Sequence, residues 1–147
     1  MIRSVQAAYN VAGDRFRLDE LAATFTEDGV LQTPTDTFSG RAGIVAGLGR
    51  PRPEGARRPT FVRHHLTTSK IDVTGADTAE GRTYFMVFTD IGPDHAGFYQ
   101  DRLVRTAEGW RIAERKVRID WVSPDSFSES LKGVVQGRLD ARGSAGA

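Results

Sequence analysis

A chain of 147 residues, 39% of them hydrophobic, is long enough for one sizeable core and too short for two. Its net charge of +1 argues against bulk electrostatic binding to nucleic acid or an anionic membrane, and the absence of cysteine excludes disulfides, thiolate chemistry and cysteine metal sites. The start, Met1 to Gln6, carries no apolar signal region and the longest strongly apolar run, Tyr84 to Phe88, cannot span a bilayer, so a soluble cytoplasmic protein is expected.

Ile2, Val5, Ala8, Tyr9 and Ala12 recur at helical spacing and predict an amphipathic first helix, broken at Gly13-Asp14. Leu18, Leu21, Ala22 and Phe25 predict a short second helix. Glu27-Asp28-Gly29 reads as a turn, and Val30 to Thr33 as a strand stopped by Pro34, with Asp36 to Ser39 as the returning arm of a hairpin. Ser39 is placed to cap a third helix through Leu48, although Gly43 and Gly47 weaken it. Gly49 to Pro59, with three prolines and four arginines, reads as a mobile loop.

The second half predicts four long strands: Phe61 to Val73, Thr78 to Asp90, His95 to Arg105 and Gly109 to Trp121. Short turns at Gly75-Ala76-Asp77, Gly92-Pro93-Asp94 and Ala107-Glu108-Gly109 join them into an antiparallel meander. Helices followed by a bent sheet suggest a small cone with a pocket inside. The fold expected is α+β in one domain over 1–124, followed by an extension over 125–147 that is partly helical, then disordered from Ala141. Alternation puts His95, Gly97, Tyr99, Asp101 and Leu103 on one strand face, a mixture that suits a polar pocket better than a dry core. In the last strand Trp110, Ile112 and Glu114 oppose Arg111, Ala113 and Arg115.

His65 is the first candidate for chemistry, because imidazole can take and return a proton near neutral pH. It shares a strand face with Arg63 and Thr67, while His64 points the other way with Leu66, so only one of the two can enter a given pocket. The plain alternative is that both are ordinary strand-end residues. Asp14 is the second candidate, at a chain reversal where it could meet a histidine and fix its tautomer, or simply cap a helix. Tyr84, Tyr99 and Asp101 could position a substrate, as could Tyr9, although each taken alone fits packing or, for Asp101, pairing with Arg115 across the sheet. The three histidines form no H-x-H or H-x-x-x-H pattern, so neither metal nor cofactor is expected. The arginines of the Gly49–Pro59 loop and Arg63 read as a solvated charge run.

The order of these elements, with the segments RHHLTTSKIDV, RTYFMVF and GFYQDRLVRTAEGWRIAERKVRIDW, resembles SnoaL-like proteins of the nuclear-transport-factor-two-like superfamily over about residues 1–122. The resemblance implies a cone-shaped barrel of a strongly curved, mostly antiparallel sheet with three helices closing a pocket. Members similar to scytalone dehydratase and hexachlorocyclohexane dehydrochlorinase use a His–Asp dyad for cofactor-free proton abstraction, which the resemblance carries onto His65 and Asp14. Gly13 beside that aspartate and Asn10 nearby depart from the usual pattern. The function expected is a cofactor-independent acid–base enzyme of dehydratase, cyclase or isomerase type, acting on a small apolar metabolite. The alternative is a non-catalytic binding or assembly module of the same fold. A homodimer or higher homo-oligomer is expected under either reading, with dimerisation through the exposed sheet face, because an open sheet leaves apolar surface uncovered.

Overall fold

The computed structural model describes residues 1–145. Helix α1 (Ile2–Asp14) is followed by α2 (Leu18–Ala22), β1 (Phe25–Gln32), β2 (Thr37–Ser39) and α3 (Gly40–Leu48). Four long strands then succeed one another: β3 (Arg63–Val73), β4 (Thr78–Thr89), β5 (Gly92–Thr106) and β6 (Gly109–Val122), with α4 (Glu129–Ser144) closing the described chain. They form one six-stranded sheet in the order β2-β1-β6-β5-β4-β3, antiparallel except where β1 runs parallel to β6. The sheet curls without closing, and the N-terminal helices cover its inner face, as the sequence leads one to expect.

Three local expectations need correction. Glu27-Asp28-Gly29 does not end an element: it lies within β1, in an irregularity that lets Phe25 face Ile112 and Val30 face Glu114. Gly29 fits because a Cβ there would stand 2.8 Å from the Phe25 side chain. Along α1 the buried residues are Gln6, Tyr9, Asn10 and Ala12, while Ala8 is exposed, so two polar side chains hold inward positions on a helix read as apolar there. The C-terminal helix runs on to Ser144, past the Ala141 at which order was expected to cease, with Leu131 and Val135 packed against the core; Gly146 and Ala147 lie outside the described residues.

Strict alternation also fails, and bulges explain why. Arg102 faces Glu114 and Leu103 faces Ile112, so Ala113 is an extra residue in β6. Ile112 and Arg115 therefore both face inward, although they are an odd number of positions apart. In β3 the register slips between Leu66 and Ser69, which keeps His64, Leu66, Ser69 and Ile71 more sheltered than their neighbours. The core centres on Phe25, Leu31, Ile44, Val87, Leu103 and Ile112, none of them accessible to solvent. No helix among the described residues is long and apolar enough to cross a membrane.

Candidate functional site: a histidine–aspartate pair beside an apolar pocket

Asp14 is the last residue of α1, not a cap for α2, whose N-cap position is Arg17. The helix closes beyond it through two bonds, Phe16 N–H to the Gly13 carbonyl (3.0 Å) and Arg17 N–H to the Ala12 carbonyl (2.9 Å), a Schellman closure. That leaves the carboxylate free to reach β3. Its Oδ2 accepts the backbone N–H of His64 at 3.0 Å, and its Oδ1 lies 2.5 Å from His64 Nδ1. Both side chains are sheltered, the carboxylate 9% and the imidazole 23% exposed.

The partner of Asp14 is thus His64, and the expected pairing with His65 does not form. Successive residues of a strand point to opposite faces, and His65 is turned outward, exposed, with its ring against Phe88. The sequence did hold a signal for this choice. His64 shares its face with Leu66, whereas His65 shares one with Arg63 and Thr67, and an apolar companion marks the inward face.

With Nδ1 facing Asp14, Nε2 is the ring nitrogen left for a ligand. His64 borders a pocket of about 210 Å³ whose other walls include Tyr9, Asn10, Leu18, Leu21 and Leu48. Phe16 stands at the same pocket. Tyr9, one of the residues expected to contact substrate, is among those lining this pocket. Asn10 is held in place, donating from Nδ2 to the Gln6 carbonyl and accepting the Tyr99 hydroxyl on Oδ1 at 2.9 Å.

The remaining expected site residues fall elsewhere. Tyr99 is buried behind Asn10, stacked on Phe85 with ring centroids 4.5 Å apart, and burial pushes its hydroxyl well above the ordinary tyrosine value. Asp101 is occupied by Arg115 through two 2.7 Å bonds and by Gln6 through a third. The pair is wholly buried, with the guanidinium carbon 4.2 Å from the Tyr9 ring centre and 4.0 Å from that of Tyr99. Asp101 is therefore a structural anion without a free oxygen for substrate. Tyr84 is 46% exposed on the outer face of the sheet, so it does not line the pocket.

A second histidine–aspartate pair adjoins the first. His95 Nδ1 is 2.7 Å from Asp94 Oδ1, and the His95 ring meets that of His64 edge-on with centroids 6.4 Å apart. Asp94 also accepts the Ser126 hydroxyl and the Phe127 N–H, at 2.7 and 3.1 Å, fastening the segment after β6 to the start of β5. Burial lowers the affinity of His95 for a proton despite the opposing pull of Asp94. Burial also works against the Asp94 carboxylate, but its hydrogen bonds from His95, Ser126 and Phe127 prevail and hold it below the usual range. Sequence reasoning passed over this pair because Asp94 reads as a turn residue. Among the described residues no three His, Asp or Glu side chains are grouped to hold a metal ion.

The comparisons with known proteins agree with this architecture. ActVI-ORFA from Streptomyces coelicolor is 26% identical, with a TM-score of 0.69 over 81% of this chain and 94% of that one. A candidate scytalone dehydratase from Novosphingobium aromaticivorans is 24% identical, with a TM-score of 0.68 over 83% of each chain. A hexachlorocyclohexane dehydrochlorinase from Novosphingobium barchaimii is 16% identical, with a TM-score of 0.69 over 84% and 86% of the two chains. At those last two identities the likeness is one of fold. No curated protein matches the sequence. The model of the SnoaL-like domain matches residues 1–116, and the chain belongs to that family.

Proposed function

We propose that this protein is a cofactor-independent acid–base enzyme that removes a proton from a small, largely apolar organic molecule, with His64 as the base and Asp14 as its positioning partner. The observation that carries the reading is the Asp14–His64 contact at the edge of an apolar pocket. Nδ1–H donates to Asp14, so the lone pair of Nε2 is the acceptor available to substrate. In the step, Nε2 takes a proton from carbon, the C–H electron pair becomes a double bond, and a leaving group departs from the next carbon with its own pair. Asp14 then faces an imidazolium, and the carbonyl end of α1 adds a favourable field for positive charge. Burial lowers the affinity of the neighbouring His95 for a proton, which disfavours a second positive charge beside His64. Two structural neighbours carry the names of elimination enzymes, a dehydratase and a dehydrochlorinase, which suits this class of step.

A positioned base contributes roughly 10²–10⁴-fold, and orientation in the pocket must supply the remainder. The test is solvent deuterium exchange or elimination, followed by NMR, on a panel of single-ring β-hydroxy and β-halo carbonyl compounds. Turnover by the wild type that disappears in His64→Gln and survives in His65→Gln supports the reading. Equal turnover in wild type and His64→Gln sinks it.

Self-association through the outer sheet face is part of the same reading. Tyr84, Met86 and Trp121 are exposed there, beside Phe98. Next to this patch the register aligns Asp72, Glu80, Arg102 and Glu114 in one row and Lys70, Arg82, Gln100 and Lys116 in the adjacent one. A second copy, turned about a two-fold axis along the boundary of the rows, would set its mainly acidic row over the basic one. A self-complementary patch of this kind is what an isologous dimer needs.

A further inference from the structure

Phe16 has a backbone φ of 55°, and among the described residues it alone takes a positive φ without being glycine. It occupies the left-handed position of the closure that ends α1, where glycine is the ordinary choice because a Cβ there is strained. The residue is 68% exposed, and its ring has no aromatic or cationic stacking partner among the described residues. An exposed phenyl ring on a strained backbone is unfavourable twice over, and neither cost is offset by packing in the core. The ring does have one concave neighbour, the pocket it borders together with Leu18, Leu48 and His64.

We infer that Phe16 is a specificity-determining residue that closes its ring over a flat, single-ring ligand held between Leu48 and His64. The closure of α1 gives the reason: the turn that sets Asp14 against His64 puts Phe16 two residues further on, at the pocket edge. A site of about 210 Å³ suits one ring with small substituents, since a dry cavity of about 150 Å³ accommodates benzene. The inference rests on this pocket being the ligand site of the proposed enzyme, and it does not depend on proton transfer by His64.

The test uses 4-nitrophenol as probe, with binding followed by absorbance and by the NMR signals of His64, in wild type, Phe16→Gly and Phe16→Ala. Phe16→Gly is expected to raise the melting temperature, because the left-handed strain is relieved, while weakening 4-nitrophenol binding at least 5-fold. Phe16→Ala should weaken binding as much and keep the strain, so its melting temperature should stay below that of Phe16→Gly. Unchanged affinity in both variants overturns the clamp and leaves the pocket as a ligand site. A lower melting temperature for Phe16→Gly also overturns it, since the ring would then be serving the fold. Failure of the wild type to bind 4-nitrophenol beside His64 overturns both the clamp and the site.

Discussion

Asp14 holds His64 at two points, taking the backbone N–H on one carboxylate oxygen and facing the ring Nδ1 with the other. The double contact joins the end of the first helix to the start of β3 across 50 positions of sequence. It sets both the place of the ring and its tautomer, since a carboxylate acceptor leaves the proton on Nδ1. Nitrogen-15 spectra of the three histidines provide the check. Neutral His64 is expected as the Nδ1-protonated tautomer in the wild type and as a mixture in Asp14→Ala, with His65 unchanged between the two. An unaltered His64 spectrum would show that no such contact exists in solution.

The second pair makes stability depend on pH in two windows. Folded His95 binds its proton less readily than a free histidine, because burial outweighs Asp94. Below about pH 6.5 the unfolded chain takes up a proton that the fold resists, so stability falls as pH drops from there to the lowered folded value. Asp94 is held low, and its contribution, present above about pH 4, is lost on further acidification. Urea midpoints at intervals from pH 7 to pH 3 should show both declines. In His95→Gln the upper decline should be shallower; an identical slope would remove His95 as its source.

Removing one member of the buried Asp101–Arg115 pair leaves a charge without its partner in the core. Asp101→Ala should cost about 3–5 kcal/mol, whereas Asp101→Leu combined with Arg115→Met should cost less than the single change. Chemical denaturation of the three proteins decides it. A single variant within about 1 kcal/mol of wild type would mean that water relieves the orphaned arginine.

Gly97 lies beside the β5–β6 bulge, where an added Cβ would stand 1.9 Å from the Arg118 carbonyl oxygen. Neither backbone can move without breaking the ladder. Gly97→Ala is expected to destabilise the fold by about 1–3 kcal/mol or more, read as a lower urea midpoint with an unchanged slope. Gly43→Ala, which meets nothing within 4 Å, is the control and should be neutral or mildly stabilising.

On the outer face, Tyr84→Glu with Trp121→Glu should convert a dimer to a monomer in light scattering without lowering the melting temperature of the protomer. Both side chains point away from the core, at 46% and 45% exposure. A wild-type protein that is monomeric at every concentration would dispose of the interface.

Much of this molecule could be read from local pattern, because local pattern is what sets helices and strands. Hydrophobic spacing in α1, the turn residues between the long strands and the alternation along β5 depend on neighbours a few positions away, and they located most of the elements within a few residues. The grouping of Tyr99, Asp101 and Leu103 on one face of β5 was legible for the same reason, but the structure packs that face into the core around a buried ion pair and does not make it the polar pocket expected. Asp14 was legible as a carboxylate at a chain reversal, and the strand period established that only one of His64 and His65 could enter the pocket.

What the sequence alone determined was thus the class of fold, the order of its elements and a short set of groups able to carry a proton. Tertiary structure decided which of them meet. The bulge at Ala113 turns Arg115 inward and commits Asp101 to it, and the pairing of β4 with β5 sets Tyr84 beside Phe98 on the outer face. The Schellman closure of α1 turns Asp14 toward His64 and puts Phe16 at the pocket. Each of these choices depends on register and on contacts between distant segments, and a difference of one residue in a strand reverses the face on which a side chain stands.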